Sequence, residues 1–118
     1  MQAYFDSKNH PKIKLIVGGS RQKQLLTAVL DTGFDGFLSL PISIAVGLGL
    51  ELVSTIQVQY ADGRVSNELV FSVTVEMDGE SHKVSATLTD SVEALVGTAL
   101  LSKNKVIFDF LHKKIQIL

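Results

Sequence analysis

Ala28-Val29-Leu30-Asp31-Thr32-Gly33-Phe34-Asp35-Gly36-Phe37-Leu38-Ser39-Leu40-Pro41 is the stretch on which the fold turns. An apolar run leads into a carboxylate, a hydroxyl and a glycine, and a second apolar run leaves them. A carboxylate at a strand end sits where low-dielectric walls and backbone amides tune it, so Asp31 is the leading candidate for chemistry. By itself the triplet also fits an ordinary turn in which glycine supplies a positive φ.

Upstream, Ile13, Leu15 and Val17 alternate with Lys12, Lys14 and Ile16 and stop at Gly18-Gly19-Ser20, the pattern of a strand entering a tight turn. Gln24 to Leu30 is apolar enough to be a buried central strand, so Ile13 to Leu30 is expected to form a hairpin that delivers Asp31-Thr32-Gly33 to a turn. Downstream of Pro41, Ile42 to Leu48 has apolar residues at helical spacing, with Gly47 and Gly49 to stop it. Ile56 to Val75 alternates with period two on both sides of Ala61-Asp62-Gly63, which predicts a long hairpin, and Asp78-Gly79 is a two-residue hairpin turn signal. Leu95 to Leu101 is rich in Ala and Leu and is expected to be a short helix or helical turn. Val106, Phe108 and Phe110, then Ile115 and Ile117, suit two closing strands. The expected fold is mainly β with one or two short helices, in one domain over residues 1–118.

Composition narrows the function classes. The 118 residues carry 11 basic and 12 acidic side chains, for a net charge of -1, which gives no electrostatic reason to expect a nucleic acid partner. With no cysteine there is no thiol nucleophile, thiolate metal site or disulfide. His10, His82 and His112 lack metal-ligand spacing, so no metal or other cofactor is expected. No Gly-x-Ser-x-Gly elbow or phosphate loop is present. The longest uncharged stretch, between Asp35 and Glu51, is broken by Pro41, Gly47 and Gly49 and is too short to cross a bilayer. Residues 1–10 lack a basic start followed by an apolar run, so the expected location is the cytoplasm.

Three features together resemble the retropepsin-like aspartic proteases, in particular their single-domain bacterial forms. The stretch from Ala28 to Pro41 looks like the family's catalytic loop and following strand. Tyr60-Ala61-Asp62-Gly63-Arg64 lies at a hairpin tip about 30 residues on, where the family carries a glycine-containing flap. Leu95-Val96-Gly97 resembles the apolar-apolar-Gly signature that packs under the catalytic loop. The resemblance runs from about Ile13 to the C-terminus and implies a closed β-barrel with a flap hairpin, acting as a homodimer on peptide or protein substrates.

Peptide hydrolysis by this route needs two carboxylates sharing one proton. The sequence has one Asp-Thr-Gly triplet, and the nearest imitation, Asp90-Ser91-Val92, lacks the glycine, so each copy of a homodimer is expected to contribute Asp31. In that resemblance Thr32 and Gly33 support the active site, Phe34, Asp35, Tyr60, Ala61, Asp62 and Gly63 contact substrate, and Leu95, Val96 and Gly97 pack the loop. Two positions depart from the family. Phe34 stands where a small residue or hydroxyl is usual, and Thr98 stands where retroviral relatives place an Arg that pairs with the residue matching Asp35. Asp35 then either contacts a substrate backbone or is an exposed turn residue. The competing classes are a non-catalytic protein-binding or dimerisation module on the same fold, and a small β-barrel carrier for an apolar ligand.

Overall fold

Alternating side chains set the inner wall of a barrel. The computed structural model describes residues 2–118. In β2 (Pro11–Gly18) Ile13, Leu15 and Val17 are buried while Ile16 faces out, and β2 pairs antiparallel with β3 (Lys23–Leu30) from Lys12↔Val29 to Gly18↔Lys23. In β3 Leu26, Ala28 and Leu30 point inward, but Leu25 is 63% exposed. The expected buried central strand is central, with β2 and β8 on its two edges, but it is buried on one face only, because a single sheet curls around the core and leaves the other face wet.

The remaining elements are β4 (Leu38–Pro41), α1 (Ile42–Leu48), β5 (Glu51–Gln59), β6 (Val65–Met77), β7 (Glu80–Thr89), β8 (Ala94–Val96), β9 (Val106–Asp109) and β10 (Lys114–Ile117), preceded by β1 (Gln2–Phe5). The strand order β2-β3-β8-β4-β7-β6 closes on itself where β2 pairs with β6 at Ile16↔Glu76, Val17↔Val75 and Gly18↔Thr74. This six-stranded barrel surrounds Ile13, Val17, Leu38, Leu40, Val73, Val75 and Val96, all at most 1% exposed. The strand β1 takes the part of the β2 edge that β6 leaves free, from Gln2↔Lys14 to Phe5↔Pro11. The strand β5 extends from β6 as an outer arm.

The helix falls where its spacing predicts it. Ala45 and Leu48 bury one face, and Gly49 ends the helix at φ 72, its N–H donating to the carbonyls of Ala45 and Val46. Gly47 stays inside the helix rather than stopping it. Ser20 Oγ donates to the Gly49 carbonyl at 2.7 Å and the Arg21 N–H to that of Leu48 at 3.0 Å, tying the helix end to the β2–β3 turn. At seven residues the helix is too short to span a bilayer, and among the described residues no helix is long and apolar enough to do so.

Leu95 to Leu101 corrects the helical expectation in part. Ala94–Val96 is the strand β8, parallel to β3 and antiparallel to β4, and the chain enters turns at Thr98. Those turns carry i to i+3 bonds from the Leu101 N–H to Thr98 and from the Asn104 N–H to Leu101, but no second helix forms among the described residues. Phe110 lies in the turn between β9 and β10, outside either strand.

Candidate active site

The loop after β3 is fixed from below by the segment after β8. The Asp31 N–H donates to the Val96 carbonyl at 2.9 Å, continuing the parallel pairing past the strand end. Three more backbone bonds follow: Gly97 N–H to Phe37 at 3.0 Å, Thr98 N–H to Phe34 at 2.9 Å and Ala99 N–H to Gly36 at 3.2 Å. These bonds lace residues 31–37 to 96–99, so the loop is held to the barrel wall by its own main chain. Leu95 and Val96 lie in β8 between β3 and β4, with Val96 buried and Leu95 half-buried.

Gly97 is where the two segments touch. A β-carbon there would run into the Gly36 carbonyl oxygen and would sit 2.7 Å from both the Phe34 carbonyl oxygen and Phe34 Cδ2. Gly36 is crowded by the same ring, with a β-carbon falling 2.6 Å from Phe34 Cζ. The Phe34 ring therefore packs over the main chain that two glycines leave bare, which explains how the loop carries a large residue at this position.

The Asp31 carboxylate is oriented locally. Its Oδ1 accepts the Gly33 N–H at 2.9 Å, and its carbonyl accepts the Phe34 N–H at 3.2 Å. A side chain at Gly33 would bring a β-carbon to 3.2 Å from that same Oδ1, a close approach that glycine leaves open. Asp31 is half-buried and Thr32 exposed, and both line the mouth of a cavity of about 400 Å³ walled by Leu30, Val96, Leu101 and Phe108. The carboxylate is open to water on one side there, next to apolar walls on the other.

Asp35 and Phe34 open onto a second cavity, a groove of about 480 Å³ between this loop and the stem of the β5–β6 hairpin. Ile56, Val58, Glu68 and Val70 form its outer wall. Asp35 is exposed, and no cation pairs with it among the described residues. Thr98 instead places its hydroxyl 3.4 Å from the Phe34 carbonyl, which accepts from it. The groove residues Ile56, Val58 and Glu68 are absent from the sequence-derived set. The period-two alternation of this hairpin was the available signal, since it puts Ile56 and Val58 on one face.

The hairpin tip is a compact turn. The Gly63 N–H donates to Tyr60 at 2.9 Å, the Tyr60 N–H to Arg64 at 2.8 Å, and Gly63 has φ 87. Asp62 accepts both the Arg64 N–H at 3.0 Å and its Nε at 2.6 Å, and the Arg64 guanidinium lies 5.3 Å from the Tyr60 ring centre. Tyr60, Ala61, Asp62 and Gly63 line neither of the two cavities; their place is the exposed end of the arm whose stem walls the groove.

Among the described residues no three His, Asp or Glu side chains gather into a metal site. The histidines sit in separate surface pairs, His10 with Asp6, His82 with Glu80 and His112 with Asp109. The His10 N–H donating to the Asp6 carboxylate holds Asp6 below the usual carboxylate range. His112 does the same for Asp109, through its backbone N–H and then its ring.

A six-stranded closed barrel with an Asp-Thr-Gly loop laced to an apolar-apolar-Gly strand end is the retropepsin fold. No family model matches the sequence, and no curated protein matches it. Solved structures do. The EIAV protease complexed with the inhibitor HBY-793 superposes with a TM-score of 0.61 at 18% identity, covering 84% of this chain and 91% of that one. The solution structure of the simian foamy virus (mac) protease gives 0.53 at 15% identity, covering 76% of this chain and 92% of that one. The foamy viral protease-reverse transcriptase in complex with an RNA/DNA hybrid gives 0.53 at 13% identity, over 79% of this chain and 12% of that one.

Proposed function

We propose that the chain is one protomer of a homodimeric aspartic endopeptidase, with residues 1–118 forming a single protease domain. The observation that carries this reading is the placement of Asp31, a half-buried carboxylate with Oδ1 fixed by the Gly33 amide at 2.9 Å, at a cavity mouth on a retropepsin fold. In the dimer two Asp31 side chains share one proton. The ionised one takes a proton from a water, whose oxygen attacks the scissile carbonyl carbon, while the protonated one donates to the carbonyl oxygen. Collapse of the tetrahedral intermediate breaks the C–N bond, and the leaving amine takes up a proton from the dyad.

The other residues act around this centre. Thr32 bonds across the two-fold axis and holds the carboxylates near each other, which drives their two proton affinities apart. Gly33 lets the main chain approach Asp31. Phe34 and Asp35 line the peptide groove, and Tyr60, Ala61, Asp62 and Gly63 form the flap that covers bound peptide and excludes water. Leu95, Val96 and Gly97 support the loop. No cofactor or metal is needed, because the carboxylates themselves activate the water.

Cleavage of a mixed peptide library by wild type and by Asp31→Asn, with and without a pepstatin-like inhibitor, tests this. Turnover in the wild type that is lost in the variant and blocked by the inhibitor is the expected result; equal cleavage by both proteins overturns it. Phe34 leaves no hydroxyl beside Asp31, and this favours the second reading, a protein-binding or dimerisation module. Such a module would turn over no peptide in either form and would keep its partner after Asp31→Asn.

A further inference from the structure

The groove of about 480 Å³ beside the Asp31 loop combines two kinds of wall. Phe34, Phe37, Ile56, Val58 and Val70 make it apolar, while Asp35 from the loop and Glu68 from the hairpin both line it. Among the described residues no Lys, Arg or His lines it. Other carboxylates of this chain are neutralised at close range, Asp62 by Arg64 at 2.6 Å and Glu76 by Lys23 at 2.7 Å. Among the described residues neither Asp35 nor Glu68 has such an ion pair. The contact of Glu68 is with the Tyr60 hydroxyl, at a long 3.5 Å. Arg64, the cation nearest in sequence on the same hairpin, is engaged by Asp62 and the Tyr60 ring.

A cavity of this volume accepts a side chain or two of a bound peptide. Two negative charges beside apolar walls suit one side-chain chemistry in particular: an aliphatic stem that covers the walls and a cationic head that reaches the carboxylates. Lys and Arg have both parts. A neutral apolar side chain leaves the carboxylates partly desolvated with nothing gained, and an acidic one is repelled.

We infer that this groove selects a Lys or Arg side chain in the bound peptide, with Glu68 and Asp35 as the specificity-determining pair. The inference rests on the reading of the groove as a peptide site, but its test does not need turnover. Asp31→Asn is mixed with an octapeptide library in which each position in turn is Lys, Arg, Met or Glu on a Leu/Ala/Phe background, and the bound peptides are identified. At one position Lys and Arg are expected over Met by about fivefold, with Glu depleted, as for a partly desolvated charge pair. Adding Glu68→Gln to the same background removes most of that enrichment, and Glu68→Lys shifts the preference toward Glu. The melting temperatures of these variants report whether the fold is kept.

A library bound without charge preference, a preference unmoved by Glu68→Lys in a folded protein, or no binding at all overturns the inference. These failures are separate from that of the endopeptidase reading. Asp31-dependent cleavage with no basic preference leaves the protease standing and removes the selectivity, whereas charge-selective binding without cleavage by the wild type does the reverse.

Discussion

Phe34, Gly36 and Gly97 behave as one unit: an aromatic ring lies where two glycines have removed the β-carbons that would block it. The neighbours that crowd Gly97 are the main-chain oxygens of Phe34 and Gly36, which are pinned by the Thr98 and Ala99 amides. They cannot move aside without breaking the bonds that hold the Asp31 loop. Gly97→Ala is therefore expected to cost about 3 kcal/mol, the upper range for overpacking. Gly63 offers a contrast at the other end of the site. Its φ is 87 but, apart from its chain neighbours, none of the described residues lies within 4 Å of a β-carbon there, so Gly63→Ala bears conformational strain alone, about 1 kcal/mol. Urea unfolding of both variants measures the difference; equal losses would mean that the Gly97 contact does not hold the loop. That Asp31, Thr32 and Gly33 form the loop was legible in sequence, because the triplet and its apolar flanks are contiguous. That Phe34 rests on Gly97 was not, since nothing local ties residues so far apart.

Among the elements, the β9–β10 hairpin has its own acid sensitivity. Asp109 accepts the His112 N–H at 3.0 Å and lies 2.8 Å from His112 Nδ1, and these contacts hold its carboxyl below the ordinary value of 3.8. A carboxyl whose proton affinity is lowered by folding adds stability above its unfolded pKa and loses it as the pH falls through the folded one. Loosening of this hairpin is therefore expected below about pH 4, read from the amide exchange of Lys114 to Ile117. Asp109→Asn should flatten that dependence; an unchanged pH response in the variant would place the sensitivity elsewhere. Phe110, in this turn, still has its ring centre 4.7 Å from that of Phe5, so β1 and the hairpin share an aromatic contact. The helix α1 and the β5–β6 hairpin were readable from periodicity because their stop signals are local. Leu95 to Leu101 misled because Ala and Leu favour helix only until a stronger partner intervenes. Here β3 and β4 flank Ala94–Val96 and draw it into the sheet. The strand β1 was missed for a related reason: its four residues carry little pattern and are defined by the open edge of β2.

At the scale of the whole molecule, the barrel is closed by β2 pairing with β6, a long-range contact that no periodicity reveals, and the β4–β7 and β7–β6 pairings, long-range at Leu38↔Ala86 and running on to Phe71↔Ala86, set Ile56, Val58 and Glu68 across from the Asp31 loop. Yet one chain presents one Asp-Thr-Gly triplet. If the proposed dyad spans a homodimer, a protomer lacking its carboxylate inactivates the intact protomer it joins. Wild type and Asp31→Asn, mixed in equal amounts and allowed to exchange, then leave about a quarter of the dimers with both carboxylates. At constant total protein, peptide cleavage should fall to about a quarter of the undiluted wild-type rate. Protomers that worked alone would retain about half, simple dilution by inert protein. The two outcomes differ twofold, well within the precision of an initial rate, and a pH profile of the same mixtures adds an independent signature. A dyad works only while singly protonated, so its rate should rise and fall around a mildly acidic optimum. Retention of half the rate together with a flat profile would place catalysis within one chain and remove Asp31 pairing from the mechanism.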